Sequence, residues 1–165
     1  MMGVGAKVAL DNVTIADNTA TKEGGGVGYF DAIAKPTPEL QLANSIVAGN
    51  TAGTGSDCNA LGKKQNGSVV GKGFNLIGDT SGCAVTTKKT DLVNQTANLG
   101  ALQLSGMCTA ATRAPQGGSP ALLAGSPGKP SGKVGSAGSH CLPVDECGAA
   151  RPKDKCDIGA VQVSS

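Results

Sequence analysis

An eleven-residue segment of this chain recurs 32 positions on, with six of its residues identical. Leu10-Asp11-Asn12-Val13-Thr14-Ile15-Ala16-Asp17-Asn18-Thr19-Ala20 aligns without gaps on Leu42-Ala43-Asn44-Ser45-Ile46-Val47-Ala48-Gly49-Asn50-Thr51-Ala52. Self-similarity at a fixed period marks a repeat architecture. A third, shorter copy, Asn75-Leu76-Ile77-Gly78-Asp79-Thr80, follows 29 residues after the matching part of the second. Each copy is a short aliphatic strand ending in a small residue, then Asn or Asp, then Thr. Such a strand cannot bury its apolar side alone. Stacking the copies in register forms a parallel sheet, with the turn residues Asn18, Asn50 and Asp79 hydrogen-bonding as a ladder. Asp17 also falls at this turn and is expected to stack there.

A period near 30 also suits helical repeats. These segments carry too much Gly and Pro for helices, and no window holds an i, i+3, i+4, i+7 pattern over three turns. Strands are therefore expected. Gly24-Gly25-Gly26 leads into a second strand at Val27-Gly28-Tyr29-Phe30. Residues 34–39, with Pro36 and Pro38, form a loop, and the next strand begins in residues 40–47. Composition points the same way. The 165 residues include 26 Gly and no Trp, and only 2% are aromatic. The core must come from Val, Ile, Leu and Ala, which suits thin stacked layers. The expected fold is all-β: a solenoid of a few rungs over residues 1–82, with the last rungs and an irregular cap over 83–165. Past residue 83 the repeat fades, and the Gly/Ser/Pro-rich residues 117–138, anchored by Leu122, Leu123 and Val134, belong to that cap.

Six cysteines stand at 58, 83, 108, 141, 147 and 156. An even number in polar, Gly-rich segments implies three disulfides made in an oxidising compartment. Six cysteines allow fifteen connectivities. The first residues carry neither a charged leader nor an apolar run. No stretch approaches a transmembrane span. An exported chain without an export signal is expected to be the tail of a longer protein.

The chain resembles the C-terminal end of bacterial right-handed parallel β-helix surface proteins, the choice-of-anchor Q type. The resemblance lies in the rung over residues 42–51 and in Ser56-Asp57-Cys58. It continues through Gly73-Phe74-Asn75-Leu76-Ile77-Gly78-Asp79 and Ser81-Gly82-Cys83. Asp91-Leu92 and Leu99-Gly100-Ala101-Leu102 resemble a further rung, and Gly118-Ser119-Pro120-Ala121 a turn. Asp145 to Gly148, Arg151-Pro152 and Cys156-Asp157-Ile158-Gly159-Ala160-Val161 resemble the closing signature. Leu122-Leu123 replaces the family's Ile-Asp, and Cys147 stands where the family has Arg. The resemblance implies pairing of Cys58 with Cys83, Cys141 with Cys156, and Cys108 with Cys147. It implies a right-handed parallel β-helix with a disulfide-stapled C-terminal cap, at the cell surface or outside the cell.

No catalytic constellation is legible. The single His140 sits in a loop, without the base-and-nucleophile arrangement of a hydrolase. Gly117-Gly118-Ser119-Pro120-Ala121 fails as a nucleophile elbow. His140 with Cys141, Cys147 and Cys156 has no common zinc spacing. Gly67 to Gly73 lacks the Ser/Thr of a phosphate loop and is expected to be a turn between strands. The three Glu (Glu23, Glu39, Glu146) and Asp11, Asp17, Asp79 and Asp91 give no acidic pair at rung spacing. Tyr29, Phe30 and Phe74 make a poor platform for sugar rings, and Phe74 is expected in the core. A net charge of +2 with scattered lysines such as Lys63, Lys64, Lys88 and Lys89 excludes a nucleic-acid stripe. The sequons at Asn12, Asn66 and Asn94 carry no weight in a bacterial chain.

The expectation is a non-catalytic extracellular structural or adhesive module that needs no cofactor and no metal. Its partners are upstream rungs of the parent chain, and a glycan or another cell-surface protein. The alternative is the tail of a β-helix polysaccharide lyase or glycoside hydrolase with its active residues upstream. A third reading is a glycan- or ice-binding face of repeated Thr and Asn. The open edge over residues 8–15 is expected to give marginal stability or self-association.

Overall fold

The computed structural model describes residues 6–30, 38–61, 68–104, 106–133, 138 and 140–163. The leader residues 1–5, Pro36, Lys63, Lys64, the Asn66 sequon and Val134 lie outside them. Among the described residues there is no helix, and so none long and apolar enough to cross a membrane.

Ten short strands form: β1 (Lys7–Asp11), β2 (Thr14–Ala16), β3 (Val27–Phe30), β4 (Glu39–Ala43), β5 (Ile46–Ala48), β6 (Cys58–Leu61), β7 (Ser68–Gly73), β8 (Leu76–Ile77), β9 (Val85–Thr86) and β10 (Leu92–Val93). They make a first sheet in the order β1-β4-β7-β9, a second in the order β10-β8-β5-β2, and a third of β3-β6. Every pairing between these strands is parallel. The two long repeats lie in register, Leu10 against Leu42 and Ile15 against Val47. The third copy continues the second sheet, with Ile46 against Leu76.

One residue makes each corner between the first and second sheets. Asn12, Asn44 and Phe74 all have positive φ, at 52°, 49° and 58°. A left-handed residue turns the chain sharply, and Asn tolerates that region better than most residues. This explains why the two repeats share Asn there. Phe74 occupies the same corner and is only half-buried, so it is not the core residue expected from the sequence.

Two further expectations are corrected. Ser68–Gly73 is not a turn but β7, with Val69 sealed inside and a bulge against Leu42/Ala43. Past residue 83, where last rungs were expected, β9 and β10 add a fourth pass that includes Leu92, only 16 residues after the third. Leu99-Gly100-Ala101-Leu102 is not a rung. It runs antiparallel to residues 112–115, through bridges from Leu99 to Pro115 and from Gln103 to Thr112.

The inner core lies between the three sheets and includes Leu40, Leu42, Val47, Val69 and Ile77. Tyr29, at 0% exposure, also fills it, so the core is not purely aliphatic. The second sheet carries a second core on its outer face: Ile46, Ala48 and Leu76 pack against Ala97, Ala121 and Ile158. Burial on both faces removes the usual alternation, and all three residues of β5 are buried. The C-terminal residues therefore cover the side of the stack rather than only closing its end. Gly159 permits this approach, since a Cβ there would sit 2.6 Å from Thr14 Oγ1 and 2.8 Å from Ile46 Cδ1.

Asn44 joins coil and cover. Its Nδ2 donates to Asp11 Oδ1 at 3.1 Å, and its Oδ1 accepts from the Ser126 amide at 3.0 Å. Asn44→Ala strands both buried partners and places Ala at positive φ, so it should cost about 2–4 kcal/mol. Asn44→Gly should be milder by about 1 kcal/mol, since Gly accepts that backbone. Chemical denaturation of the three proteins measures both differences.

Candidate functional site

The polar side chains collect along the exit of the second sheet. There the chain leaves each strand through Asp17-Asn18, Gly49-Asn50 and Gly78-Asp79. A cleft of about 530 Å³ opens at this corner, lined by Asp17, Asn50, Asp57, Asp79, Asn94 and Asn98 among others. It is the candidate site because it gathers carboxylates and amides in one concave region.

Most of these groups are already engaged. The Asn18 amide and its Nδ2 donate to Asn50 Oδ1 at 3.0 and 2.9 Å. The Asn50 amide and Nδ2 both donate to Asp57 Oδ1 at 2.9 Å. The ladder is thus Asn18, Asn50, Asp57. Asp79 does not extend it with its side chain, which instead accepts from the Ser81 amide at 2.9 Å. Asp17 does not stack in it either, and pairs with Arg113 Nη2 at 2.6 Å. Farther down, Asn94 Oδ1 accepts from the Thr80 amide and hydroxyl at 3.2 and 3.0 Å.

Burial pushes the Asp57 carboxyl above its ordinary range; the Asn50 bonds work against this and the charge of Asp79 adds to it. Asp79 moves the other way, held down by hydrogen bonds from Ser81. The two neighbouring carboxylates are therefore pushed apart in acidity. Asp57 Oδ1 holds the turn through its two bonds from Asn50. The cleft offers acceptors and amide donors, which suit hydroxyl or amide groups.

A second ladder was not legible in the sequence. The Val13 amide donates to Ser45 Oγ at 3.1 Å, Ser45 to Asn75 Oδ1 at 3.0 Å, and Asn75 to Asp91 Oδ1 at 3.0 Å. The signal that could have found it is the polar residue one step after each corner.

The cysteines pair as Cys58 with Cys83, Cys108 with Cys147 and Cys141 with Cys156, the partners the resemblance implied. Their sulfurs are thereby committed, and no described cluster of three or more His, Cys, Asp or Glu could hold a metal. His140 is exposed. The closing residues form a buried clasp. Arg151 donates to the carbonyls of Asp157, Gly159 and Ala160 and to Gln162 Oε1, at 2.8–3.2 Å. Asp145 accepts from the Cys147, Ala149 and Gln162 amides, and Asp157 from those of Leu123 and Val163. Burial lowers the Arg151 pKa, while the charges of Asp145, Asp157 and Asp11 oppose that shift. The sequence displayed these residues as a signature but not their shared carbonyl cage.

Two outcomes follow. Asp57→Asn keeps an acceptor for Asn50 and removes a desolvated charge, so it should match or exceed the parent in stability at pH 7. Asp57→Ala should lose about 1–3 kcal/mol. Because its folded pKa is raised, Asp57 favours the fold more as pH falls from neutral toward the ordinary carboxylate range. The advantage of Asp57→Asn should therefore shrink on acidification, as read by denaturation across pH 4–7. Arg151→Met should cost about 3–5 kcal/mol and make residues 121–163 susceptible to limited proteolysis.

No family model, curated protein or solved structure matches this chain.

Proposed function

We propose that the chain is a non-catalytic structural module of a secreted or cell-surface protein, forming one end of a right-handed parallel β-helix. Its sheets are entered in the same order on the first two passes, which supports the solenoid reading. Right-handed crossover between parallel strands is the near-universal hand. Three disulfides support an oxidising destination.

The observation that carries the proposal is the contrast between the first and second passes. Leu40, Leu42 and Val47 are 1–2% exposed. Their register partners Val8, Leu10 and Ile15 are only partly buried. Among the described residues no strand stacks on the first pass as the first stacks on the second, and β1, β2 and β3 are edge strands. A parallel coil of the same register supplies both the missing apolar cover and the missing backbone partners. The partner surface is thus made for further coils of a longer chain, with a glycan or another surface protein meeting the flanks.

Two measurements test this. The purified chain should self-associate in a concentration-dependent way by sedimentation, because an uncovered edge seeks a strand. A monomer of high stability at all concentrations would argue against the uncovered coil. On a polysaccharide panel the chain should release no product. Turnover proportional to protein, lost in Asp57→Asn or Asp79→Asn, would replace this proposal with the lyase or hydrolase reading.

A further inference from the structure

The three disulfides are not held alike by their surroundings. Cys141 and Cys156 are each 1% exposed, and the Cys141 amide donates to Ser126 Oγ at 2.9 Å. Their carbonyls accept from the Gly132 and Gly125 amides, both at 2.9 Å. Cys58 lies in β6, and two residues on the Ala60 amide donates to Gly82 beside Cys83 at 2.9 Å. These two pairs would stay close even without their sulfur bond.

Cys108 is also buried, at 9% exposure, but its place in the chain differs. It sits beyond the Gln103 to Thr112 bridge, at the tip of the antiparallel hairpin that begins at Leu99 and ends at Pro115. Its partner Cys147 is half-buried in a turn of the cover. Among the described residues the hairpin makes an ion pair with the first pass, Arg113 to Asp17, whose side chains are 25% and 48% exposed. An exposed pair of this kind holds weakly. Leu102, Ala111, Thr112 and Arg113 of the hairpin face Thr14, Ala16 and Asn18 of the first pass across a cleft of about 330 Å³.

We infer that the Cys108 to Cys147 bond is a reducible latch that straps this hairpin over the outer flank of β2. A thiolate reductant attacks the Cys147 sulfur. The S–S bond breaks, and Cys108 leaves as a thiolate that takes a proton. A second reductant thiol resolves the mixed disulfide. Two reductant thiols become one disulfide, and the protein gains two thiols. Reclosure depends on how often the two thiols meet. The hairpin base is fixed by the Gly100 to Ala114 and Gln116 to Asn98 backbone bonds and by Leu99 in the outer core, but Cys108 lies beyond these and shares no such bond with the turn of Cys147, so that frequency is lowest for this pair. Opening frees the hairpin from the flank of Ala16 and Asp17, while the inner core, the Arg151 clasp and its Ala160 to Thr14 bond stay in place.

The test titrates the full chain with glutathione, blocks the thiols that appear with iodoacetamide, and maps them by mass spectrometry. Cys108 and Cys147 should be labelled at reductant concentrations at least about tenfold below those needed for the other four. At that point hydrogen exchange should rise across residues 99–115 and remain unchanged over 40–48 and 69–77. The Cys108→Ser/Cys147→Ser variant should show the same exchange pattern without reductant. Labelling of Cys58, Cys83, Cys141 or Cys156 first or together with Cys108 would overturn the latch. So would a hairpin in the double variant as protected as in the oxidised parent.

Discussion

The stack depends on polar corners that are satisfied by the neighbouring pass. A strand pair can share backbone bonds, but the residues that turn between sheets leave amides that the strands do not reach. A buried unpaired amide costs as much as a lost hydrogen bond. Here a side-chain oxygen from the later pass takes the amide of the earlier one, from Val13 to Ser45, Ser45 to Asn75 and Asn75 to Asp91. Short polar side chains at these places are therefore required for parallel stacking in register, and the register in turn aligns Leu10 with Leu42 and Ile15 with Val47.

The second sheet shows how a chain with so few aromatics secures enough buried surface. Its strands are two or three residues long, too short to hold one another. Inward residues such as Val47 and Ile77 join the inner core, and outward ones such as Ile46 and Leu76 join the outer core. The outer core exists only because the Gly- and Pro-rich C-terminal half lies along the flank. Among the described residues that half has no strand beyond β10. Arg151, Asp145 and Asp157 bind its backbone groups in place of strand partners. Disulfides add roughly 2–4 kcal/mol each, so side-chain clasps and sulfur bonds take the role that a ladder takes in the first half.

What was legible in the sequence follows from this division. The first two passes align without gaps and share six of eleven residues, and each corner makes the same demand of Asn12 and Asn44. Strands, parallel register and the Asn18–Asn50 step could be read from that alone. The rung at Asp91-Leu92 was legible only through the resemblance, because those residues meet the same demand with different side chains after a shorter interval. The strand at Ser68–Gly73 was hidden because its glycines, Gly71 and Gly73, look like a turn; Gly71 is needed because Asp91 and the Thr86 carbonyl crowd its Cα. The outer cover was illegible for another reason. Its contacts join residues 82 to 147 positions apart, such as Asn44 to Ser126 and Asn12 to Gly159, and no local pattern encodes them.

The spacing of the passes gives the stack a direction. Stacked residues lie 32 positions apart between the first two passes, then 30, then 16. The loss at the last step is the third sheet, which contains only β3 and β6. Where a third strand would pair with β6, the Cys58 to Cys83 bond and the Ala60 to Gly82 hydrogen bond stand instead. Asp91, the final acceptor of the second ladder, also takes the Lys88 amide of its own loop at 2.7 Å. Its oxygens are thus turned toward the stack and its own loop, rather than toward a further pass. The first pass, by contrast, still presents strands of five, three and four residues with half-buried Val8, Leu10 and Ile15. The taper and the closed ladder leave the far end with two-residue strands and an engaged Asp91, so among the described residues the longer open strand edges lie at the β1 end.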